Sequence, residues 1–425
     1  MLLSTSAASV IDIENPENDA LAPRVLSIQS SVVFGHVGNA SSAFALQTLG
    51  FDAALLHSVQ LSTHTGYPFI RGSKLSGDDV RTLIEGLRMN GVLGLFSGVV
   101  SGYIASSGVL DAVADGVRTL RAVRSAAGIT LPPFFVMDPV LGDYDADGVE
   151  GRLYVPAEVV GAMRAAIRDG CVSLLTPNSF EAEILTERPK IFDRHSAIAT
   201  MDALHLMGAR AVIITSSFVY EVTGSGSGSG SGSSSGSGSG IGGRSIEDAG
   251  ANGSPSNDTA VPTMIVFCSA PWADVETDVG EGAAPHIDVI GDAARRNRLW
   301  PNGPTSSSHA RFAVRVPRLP GSFTGTGDLL SALLLAHGVR APGGLVRAVE
   351  AALATTFAVC DRTARARDRG VASAIVSAAA SAAGADATAS AKAGASAACE
   401  LRLVESKRDI ERPKLRFDMQ AFALD

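Results

Sequence analysis

The sequence predicts an α/β fold in which a mainly parallel central sheet carries helices on both faces. From Arg24 onward, short apolar runs alternate with segments of helical periodicity, as repeated βα units do. Polar residues recur where the apolar runs end, and open α/β sheets bind ligands at the carboxyl ends of their strands. The 425 residues are 46% hydrophobic and 18% charged, so the chain can bury a large core.

The first part of the chain supplies four strands and three helices of this pattern. Residues 76–79 (SGDD) match a capping box at the start of a helix. Asn90 to Leu110 is uncharged and long enough to span a bilayer, but its many Gly and Ser residues favour a buried strand and a loop. We expect strands at 25–28, 53–59, 93–100 and 134–137, and helices at 40–49, 76–88 and 109–127.

The second part continues the alternation. We expect strands at 173–175, 211–214, 264–267 and 311–316, and helices at 156–169, 198–207, 328–338 and 345–367. Pro156 suits the first turn of its helix, since the ring presets the helical φ angle. Gly338 is the predicted end of the apolar helix that Asp328 opens.

Two stretches of biased composition interrupt the pattern. Gly224 to Gly240 contains only Gly and Ser and cannot bury a core. The Ala/Ser-rich stretch suits weak helix or coil equally. We therefore predict a disordered leader, 1–22, and one domain, 23–425. Surface insertions interrupt that domain at about 221–262, with an irregular stretch to 310, and at about 371–399.

Residues 323–328 place a carboxylate beside a glycine-rich turn at the start of an apolar helix. Gly325 and Gly327 flank Thr326 and let successive N–H groups turn toward one point, where the helix N-terminus also attracts an anion. Phosphoryl transfer to an alcohol needs such donors together with a base, here Asp328. An ordinary Asp cap after a Gly-rich turn gives the same pattern, so the motif alone favours the functional interpretation only slightly.

Carboxylates at other strand ends strengthen this interpretation. Asp143 and Glu181 suit a magnesium ion that binds nucleotide phosphates, although each alone also fits a turn or a helix start. Asp138 is a weaker candidate, because an Asp before Pro is common in turns. No Walker A pattern occurs, which argues against a P-loop kinase. The residues alone indicate a nucleotide-dependent phosphotransferase.

Composition argues against several other classes of protein. The chain has 35 basic and 43 acidic residues, a net charge of −8 that disfavours nonspecific nucleic-acid binding. Its N-terminus lacks the basic region of a secretory signal. Four dispersed cysteines without a C-x-x-C pair suit a reducing compartment: Cys171, Cys268, Cys360 and Cys399. We expect a cytoplasmic protein that binds neither nucleic acid nor membrane.

Seven short segments occur in an order typical of one enzyme family. They are 25–39 (VLSIQSSVVFGHVGN), 62–67 (STHTGY), 138–143 (DPVLGD), 154–156 (YVP), 176–183 (TPNSFEAE), 214–217 (ITSS) and 325–328 (GTGD). Together they resemble the pyridoxal kinases of the ribokinase-like superfamily. GTGD and TPNSFEAE are shared across the superfamily, whereas the first two segments are more specific to pyridoxal kinases.

The resemblance implies a ribokinase-like fold and a homodimer that phosphorylates the 5′-hydroxymethyl group of pyridoxal, pyridoxine or pyridoxamine with ATP. It makes Asp328 the general base, and it makes Gly325, Thr326 and Gly327 the anion hole. The family also implies Mg²⁺ and a monovalent cation, K⁺ or Na⁺.

The same resemblance assigns binding residues. Those expected to contact the vitamer are Ser30, Val37, Thr65, Tyr103, Tyr154 and Asp328. Those expected to contact ATP are Asp143, Asn178, Glu181, Thr215, Ser216 and Thr326. The expected cation sites are Asp143 and Glu181 for Mg²⁺, and Asp138, Thr176 and Thr215 for the monovalent ion.

Two alternatives remain open at this point. A hydroxymethylpyrimidine kinase shares the sheet and GTGD, although the segments around Ser30 and Thr65 argue against it. A PLP-binding or scaffold protein would keep the fold without turnover, against which the intact Asp328 argues. Between 218 and 310 the chain departs from the family, so nucleotide contacts there are not assigned.

Overall fold

A computed structural model describes residues 22–145, 148–217, 263–271, 309–340, 344–415, 417 and 419–421. The predicted leader, apart from its last residue, lies outside these ranges. So do residues 218–262, which include the whole Gly/Ser-rich insertion, and residues 272–308.

The described strands form one ten-stranded sheet and a separate two-stranded hairpin. They are β1 (Arg24–Val32), β2 (Asp52–Leu61), β3 (Gly72–Lys74), β4 (Phe96–Ser101), β5 (Phe134–Met137), β6 (Gly142–Tyr144), β7 (Gly151–Leu153), β8 (Leu174–Leu175), β9 (Ala211–Ser217), β10 (Thr263–Pro271), β11 (His309–Pro317) and β12 (Met419–Ala421). The order across the large sheet is β12-β11-β10-β9-β8-β5-β4-β1-β2-β3. Its six central strands, from β9 to β2, are parallel, and the outer pairings are antiparallel.

The described residues contain eleven α-helices. They are α1 (Asn39–Thr48), α2 (Gly77–Met89), α3 (Ser107–Ala126), α4 (Ala157–Arg168), α5 (Ser179–Thr186), α6 (Arg194–Met207), α7 (Thr326–Arg340), α8 (Leu345–Asp368), α9 (Val371–Ala382), α10 (Ala387–Ala398) and α11 (Lys407–Glu411). The predicted capping box of α2 is present, since Ser76 and Asp79 exchange side-chain and backbone hydrogen bonds. None of the described helices is long and apolar enough to cross a membrane.

The central strands are apolar on both faces because helices cover both. Phe135 of β5 packs with residues of α2 to α6, whereas the next residue, Val136, packs with residues of α1, α7 and α8. Helix α7 is buried almost throughout from Leu329 to Ala336, as its apolar sequence predicts. The predicted two-sided α/β architecture is thus confirmed.

Helix α7 differs from the prediction at both ends. It begins at Thr326, so Asp328 lies in its first turn and does not open it. It also continues past Gly338 to Arg340. A Cβ at Gly338 would lie 2.6 Å from the Phe134 ring, so this glycine permits close packing against β5 and does not end the helix.

The Ala/Ser-rich segment forms the two helices α9 and α10. Helix α9 has no buried residue, whereas α10 packs Ala393 and Ala397 against Tyr67. Ser396 Oγ of α10 also donates to the backbone oxygen of Gly66 at 2.9 Å. This segment therefore contacts the loop that follows β2.

Candidate active site

The predicted site residues lie along one edge of the sheet. Because the six central strands are parallel, their carboxyl ends meet at this edge. The predicted residues at these ends are Ser30 on β1, Thr65 after β2, Tyr103 after β4, Asp138 after β5, Thr176 after β8, and Thr215 and Ser216 on β9.

The GTGD turn is held closely against the first glycine turn of the chain. Gly325 has φ +89°, and a Cβ there would overlap the backbone oxygen of His36. A Cβ at Gly327 would lie 3.0 Å from Asp138 Oδ2. Thr326 begins α7, so the N–H groups of the turn lie at the positive end of that helix. The geometry suits an anion beside a carboxylate.

The Asp328 carboxyl is enclosed by the loops that end β1 and β4. The N–H of Gly38 donates to this carboxyl, and a Cβ at Gly102 would lie 3.3 Å from Asp328 Oδ1. Ser42 Oγ also donates to the backbone oxygen of Asp328 at 3.1 Å. Burial raises the pKa of Asp328, and the Gly38 hydrogen bond opposes the shift only in part. A raised pKa brings the carboxylate closer to the range of an effective general base.

Asp138 and Thr176 are joined through a residue that the sequence analysis did not identify. Ser331 Oγ donates to Asp138 Oδ2 at 3.2 Å and lies 3.1 Å from Thr176 Oγ1. Burial is the main cause of the raised pKa of Asp138, and the negative charges of Glu181 and Asp328 add to it. Ser331 lies one helical turn after Asp328, which is the sequence signal that predicts a shared face.

Glu181 and Asn178 connect the start of α5 to the β6–β7 hairpin. They form a capping box, in which Glu181 Oε2 accepts the N–H of Asn178 at 2.9 Å. Glu181 Oε1 accepts the N–H of Leu141 at 2.8 Å, and Asn178 Nδ2 donates to the oxygen of Gly142 at 2.8 Å. Burial raises the pKa of Glu181 despite these N–H donors. Both side chains thus fix the hairpin that carries Asp143.

Asp143 and Tyr154 are the more exposed members of this group. Asp143 lies on β6, where its Oδ1 accepts the N–H of Tyr144 at 2.8 Å. Tyr154 follows β7 and is 55% exposed. Partial burial is the main cause of its raised pKa, and the negative charges of Asp143 and Glu181 add to it. An exposed hairpin with an aromatic residue at its base fits the predicted flap.

The predicted vitamer residues divide between the two turns that follow β1 and β2. Gly38 has φ +54°, and a Cβ there would lie 2.8 Å from Ser30 Oγ. Val37 is buried beside the GTGD turn, 3.3 Å from where a Cβ of Gly325 would lie. Thr65 is exposed, on a loop whose His64 is buried. The structure thus brings Ser30 and Val37 next to GTGD.

The remaining predicted residues show fewer mutual contacts. Burial raises the pKa of Tyr103, whose backbone oxygen accepts a bond from Ser58 Oγ at 3.4 Å. Thr215 donates its N–H to the oxygen of Pro177 at 2.9 Å, beside Thr176. Within the described residues, no hydrogen bond joins Ser216 to another predicted site residue.

The sequence analysis did not identify two further buried polar residues of this region. Gln29 is buried at the end of β1, and its Nε2 donates to Ser27 Oγ and Ser42 Oγ. Glu400 is buried between the loops at 35–38 and 64–67. Gln29 directly follows the predicted strand 25–28, which is the position at which polar residues recur in this chain. Glu400 carries no such signal, because its partners lie more than 300 residues away.

Comparison with known proteins gives consistent matches. No family model matches the chain. Human pyridoxal kinase is 32% identical over 392 residues, covering 92% of this chain and 96% of its own length. Pyridoxal kinase of Arabidopsis thaliana is 32% identical over 400 residues, covering 94% and 95%. Pyridoxal kinase of Leishmania donovani, solved in complex with ADP and pyridoxamine, aligns with a TM-score of 0.64 at 25% identity, covering 94% and 99%. The similarity extends over nearly the whole chain.

Proposed function

Because this chain belongs to the pyridoxal kinase family, we propose that it phosphorylates the 5′-hydroxymethyl group of pyridoxal, pyridoxine and pyridoxamine with ATP. The Leishmania donovani relative was solved with ADP and either pyridoxamine or pyridoxine, which supports a nucleotide and a B6 vitamer as the two substrates. The relatives compared above are pyridoxal kinases, which favours this function over the hydroxymethylpyrimidine alternative. The observation that carries the proposal is a desolvated carboxyl, Asp328, in the first turn of α7 beside the GTGD glycines.

In the proposed reaction, the 5′-hydroxyl oxygen bonds to the γ-phosphorus of ATP as the bond between that phosphorus and the β,γ-bridging oxygen breaks. The hydroxyl proton passes to the Asp328 carboxylate, and ADP leaves. The backbone N–H groups of Gly325, Thr326 and Gly327 would donate to the oxygens of the phosphoryl group in transfer. The anion hole and the general base would act at the same place, because the helix N-terminus attracts the phosphoryl group to a position next to Asp328.

The donor set of the site suits cations. Burial raises the pKa of Asp138, Glu181 and Asp328, and no Lys or Arg among the described residues is a cause that opposes these shifts. We propose that Asp143 and Glu181 hold Mg²⁺, Glu181 through water, because its oxygens already accept three backbone hydrogen bonds. Bound Mg²⁺ would neutralise the phosphate charge that develops in the reaction.

A monovalent cation, K⁺ or Na⁺, fits the neighbouring oxygens. Asp138 and Thr176 follow β5 and β8, and Thr215 lies on the adjacent β9, so the three offer carboxylate and hydroxyl oxygens at one sheet edge. Ser331 would orient the first two, because it lies within hydrogen-bond distance of both. We propose that these residues hold the ion beside Asp328, where its charge would favour the ionised base.

We propose two binding regions on either side of Asp328. Ser30, Val37, Thr65 and Tyr103 would surround the pyridine ring. Asn178, Thr215, Ser216 and Thr326 would contact ATP, and Tyr154 would cover the phosphates as part of the β6–β7 hairpin. The exposure of Tyr154 supports a covering role, since the side chain is free to close on a ligand.

We also propose that the enzyme is a cytoplasmic homodimer. The family resemblance supports the dimer. Four free thiols, three of them buried, support a reducing compartment.

The experiment that tests the proposal is a substrate comparison. Purified protein is incubated with Mg²⁺-ATP and either pyridoxal, pyridoxine, pyridoxamine or hydroxymethylpyrimidine, and the products are identified by mass spectrometry. We expect phosphorylation of the three vitamers. Turnover of hydroxymethylpyrimidine alone would overturn the substrate assignment. Pyridoxal binding without ATP consumption would overturn the enzymatic one.

A further inference from the structure

Glu400 is a buried carboxylate where three loops of the site meet. It is 6% exposed and comes two residues after α10 ends. Its Oε2 accepts the N–H of His36 at 3.0 Å, and its Oε1 accepts the hydroxyl of Tyr67 at 3.4 Å. Its backbone also forms a bridge with Thr324, directly before GTGD. One residue therefore contacts the loops after β1 and β2 and the segment that precedes α7.

Two groups donate hydrogen bonds to the Glu400 carboxylate, and the His64 ring lies beside it. The N–H of Gly66 donates to His64 Nδ1 at 3.0 Å, so the neutral ring carries its proton on Nε2. That nitrogen lies 3.3 Å from Glu400 Oε1. Burial, together with the charge of Glu400, raises the pKa of Tyr67 and keeps its hydroxyl protonated. The carboxylate thus accepts hydrogen bonds from His36 and Tyr67, and His64 Nε2 lies close to it without forming one.

The fit around this carboxylate leaves little room for adjustment. Gly35 has φ +106°, and a Cβ there would lie 2.6 Å from the Glu400 carboxyl carbon. On the other side, Tyr67 is covered by α10, whose Ser396 also bonds to Gly66. A substitution that changes the hydrogen-bonding groups of Glu400 is therefore expected to shift the loops at 35–38 and 64–67.

We propose that Glu400 is a positioning residue for the vitamer, an assignment that rests on the function proposed above. It holds Val37, next to His36, and Thr65, next to His64, in a fixed relation to the GTGD turn. Glu400 itself does not contact substrate. Only the backbone of Glu400 reaches the segment before Thr326, whereas its side chain contacts the loops at 35–38 and 64–67. A change confined to the side chain is therefore expected to act mainly on the vitamer.

The test is Glu400→Gln, which keeps the volume of the side chain. Glutamine has one acceptor oxygen, so its amide would face at least one of the donors now turned toward the carboxylate. We expect the KM for pyridoxal to rise about tenfold, and the KM for ATP to stay within about twofold of the unaltered enzyme, as for the loss of one positioned hydrogen bond. Glu405→Gln, at an exposed carboxylate five residues away, is the control and leaves both values unchanged.

A second variant keeps the test decisive if Glu400→Gln folds poorly. Tyr67→Phe removes one donor from the same carboxylate, and we expect a smaller rise in the KM for pyridoxal. In the double variant the two effects would be less than additive, because both act through one contact. An unchanged KM for pyridoxal in both single variants, or equal rises in both KM values, would overturn the assignment of Glu400 alone. Absence of vitamer turnover by the unaltered enzyme would overturn the proposed function and this assignment together.

Discussion

Gly325→Ala tests whether the GTGD turn has the conformation that the site requires. A non-glycine residue at φ +89° costs about 1–2 kcal/mol, because its Cβ approaches the following backbone. The Cβ would also overlap the oxygen of His36 and lie 3.3 Å from Val37 Cγ1, and such overpacking costs roughly 1–3 kcal/mol. We therefore expect the free energy of unfolding to fall by about 2–5 kcal/mol.

The same substitution is expected to lower activity beyond its effect on stability. Relieving the overlap moves the turn away from His36 and redirects the N–H groups next to Asp328. Loss of one well-directed donor to the phosphoryl group lowers kcat by about 10²–10³. The measurements are urea unfolding and steady-state kinetics of the folded fraction.

Gly161→Ala is the matched control for this prediction. Gly161 is exposed within α4, and nothing lies within 4 Å of the position of its Cβ. Alanine favours the helix there, so the control is expected to stabilise the protein by about 0.5–1 kcal/mol with unchanged kcat. If Gly325→Ala were as stable and active as Gly161→Ala, the close approach of the two turns would be refuted.

Two further predictions concern the nucleotide and cation sides of the site. Asn178→Ala removes the N-cap of α5 and the hydrogen bond to the β6–β7 hairpin. We therefore expect the free energy of unfolding to fall by about 1–2 kcal/mol and the KM for ATP to rise. Asp193→Ala, the control, removes the comparable N-cap of α6 and is expected to lower stability without changing the KM for ATP. Equal KM values for ATP in the two variants would contradict the role of Asn178 in holding the hairpin. Burial raises the pKa of Asp138, Glu181 and Asp328 in the folded protein, so their contribution to stability is lost as the pH rises above about 4 through the folded pKa values. We expect Mg²⁺ with K⁺ to raise Tm more at about pH 8 than at about pH 5; an equal rise at both pH values would contradict the cation sites.

Much of the fold could be predicted because each pattern had one dominant physical cause. The strand 134–137 is found as predicted, since a short buried strand must be apolar on both faces. Gly338 misled the prediction because a helical glycine that ends a helix and one that admits a neighbouring ring look alike in sequence. Here the ring is that of Phe134, a contact that only the packing of α7 on β5 creates.

The placement of candidate site residues was predictable where polar residues directly follow strands, and less so elsewhere. Asp138 was predicted in this way and lies at the expected sheet edge, whereas Thr176 was assigned only through the family resemblance. The strands β6 and β7 were missed because each pairs only three residues. Ser331 could be found from its spacing to Asp328. The place of Glu400 depends on how the C-terminal segment folds back onto loops near the N-terminus, which no local pattern encodes.

Asp328→Asn tests the central claim most directly. Asparagine keeps the shape of the side chain and an acceptor for the Gly38 N–H, but it cannot take the hydroxyl proton. The measurements are kcat for pyridoxal phosphorylation and calorimetric binding of pyridoxal and of ATP. We predict that kcat falls by about 10²–10⁴ while both ligands still bind with affinities close to those of the unaltered enzyme. A kcat within about tenfold of the unaltered enzyme would contradict the assignment of Asp328 as the general base.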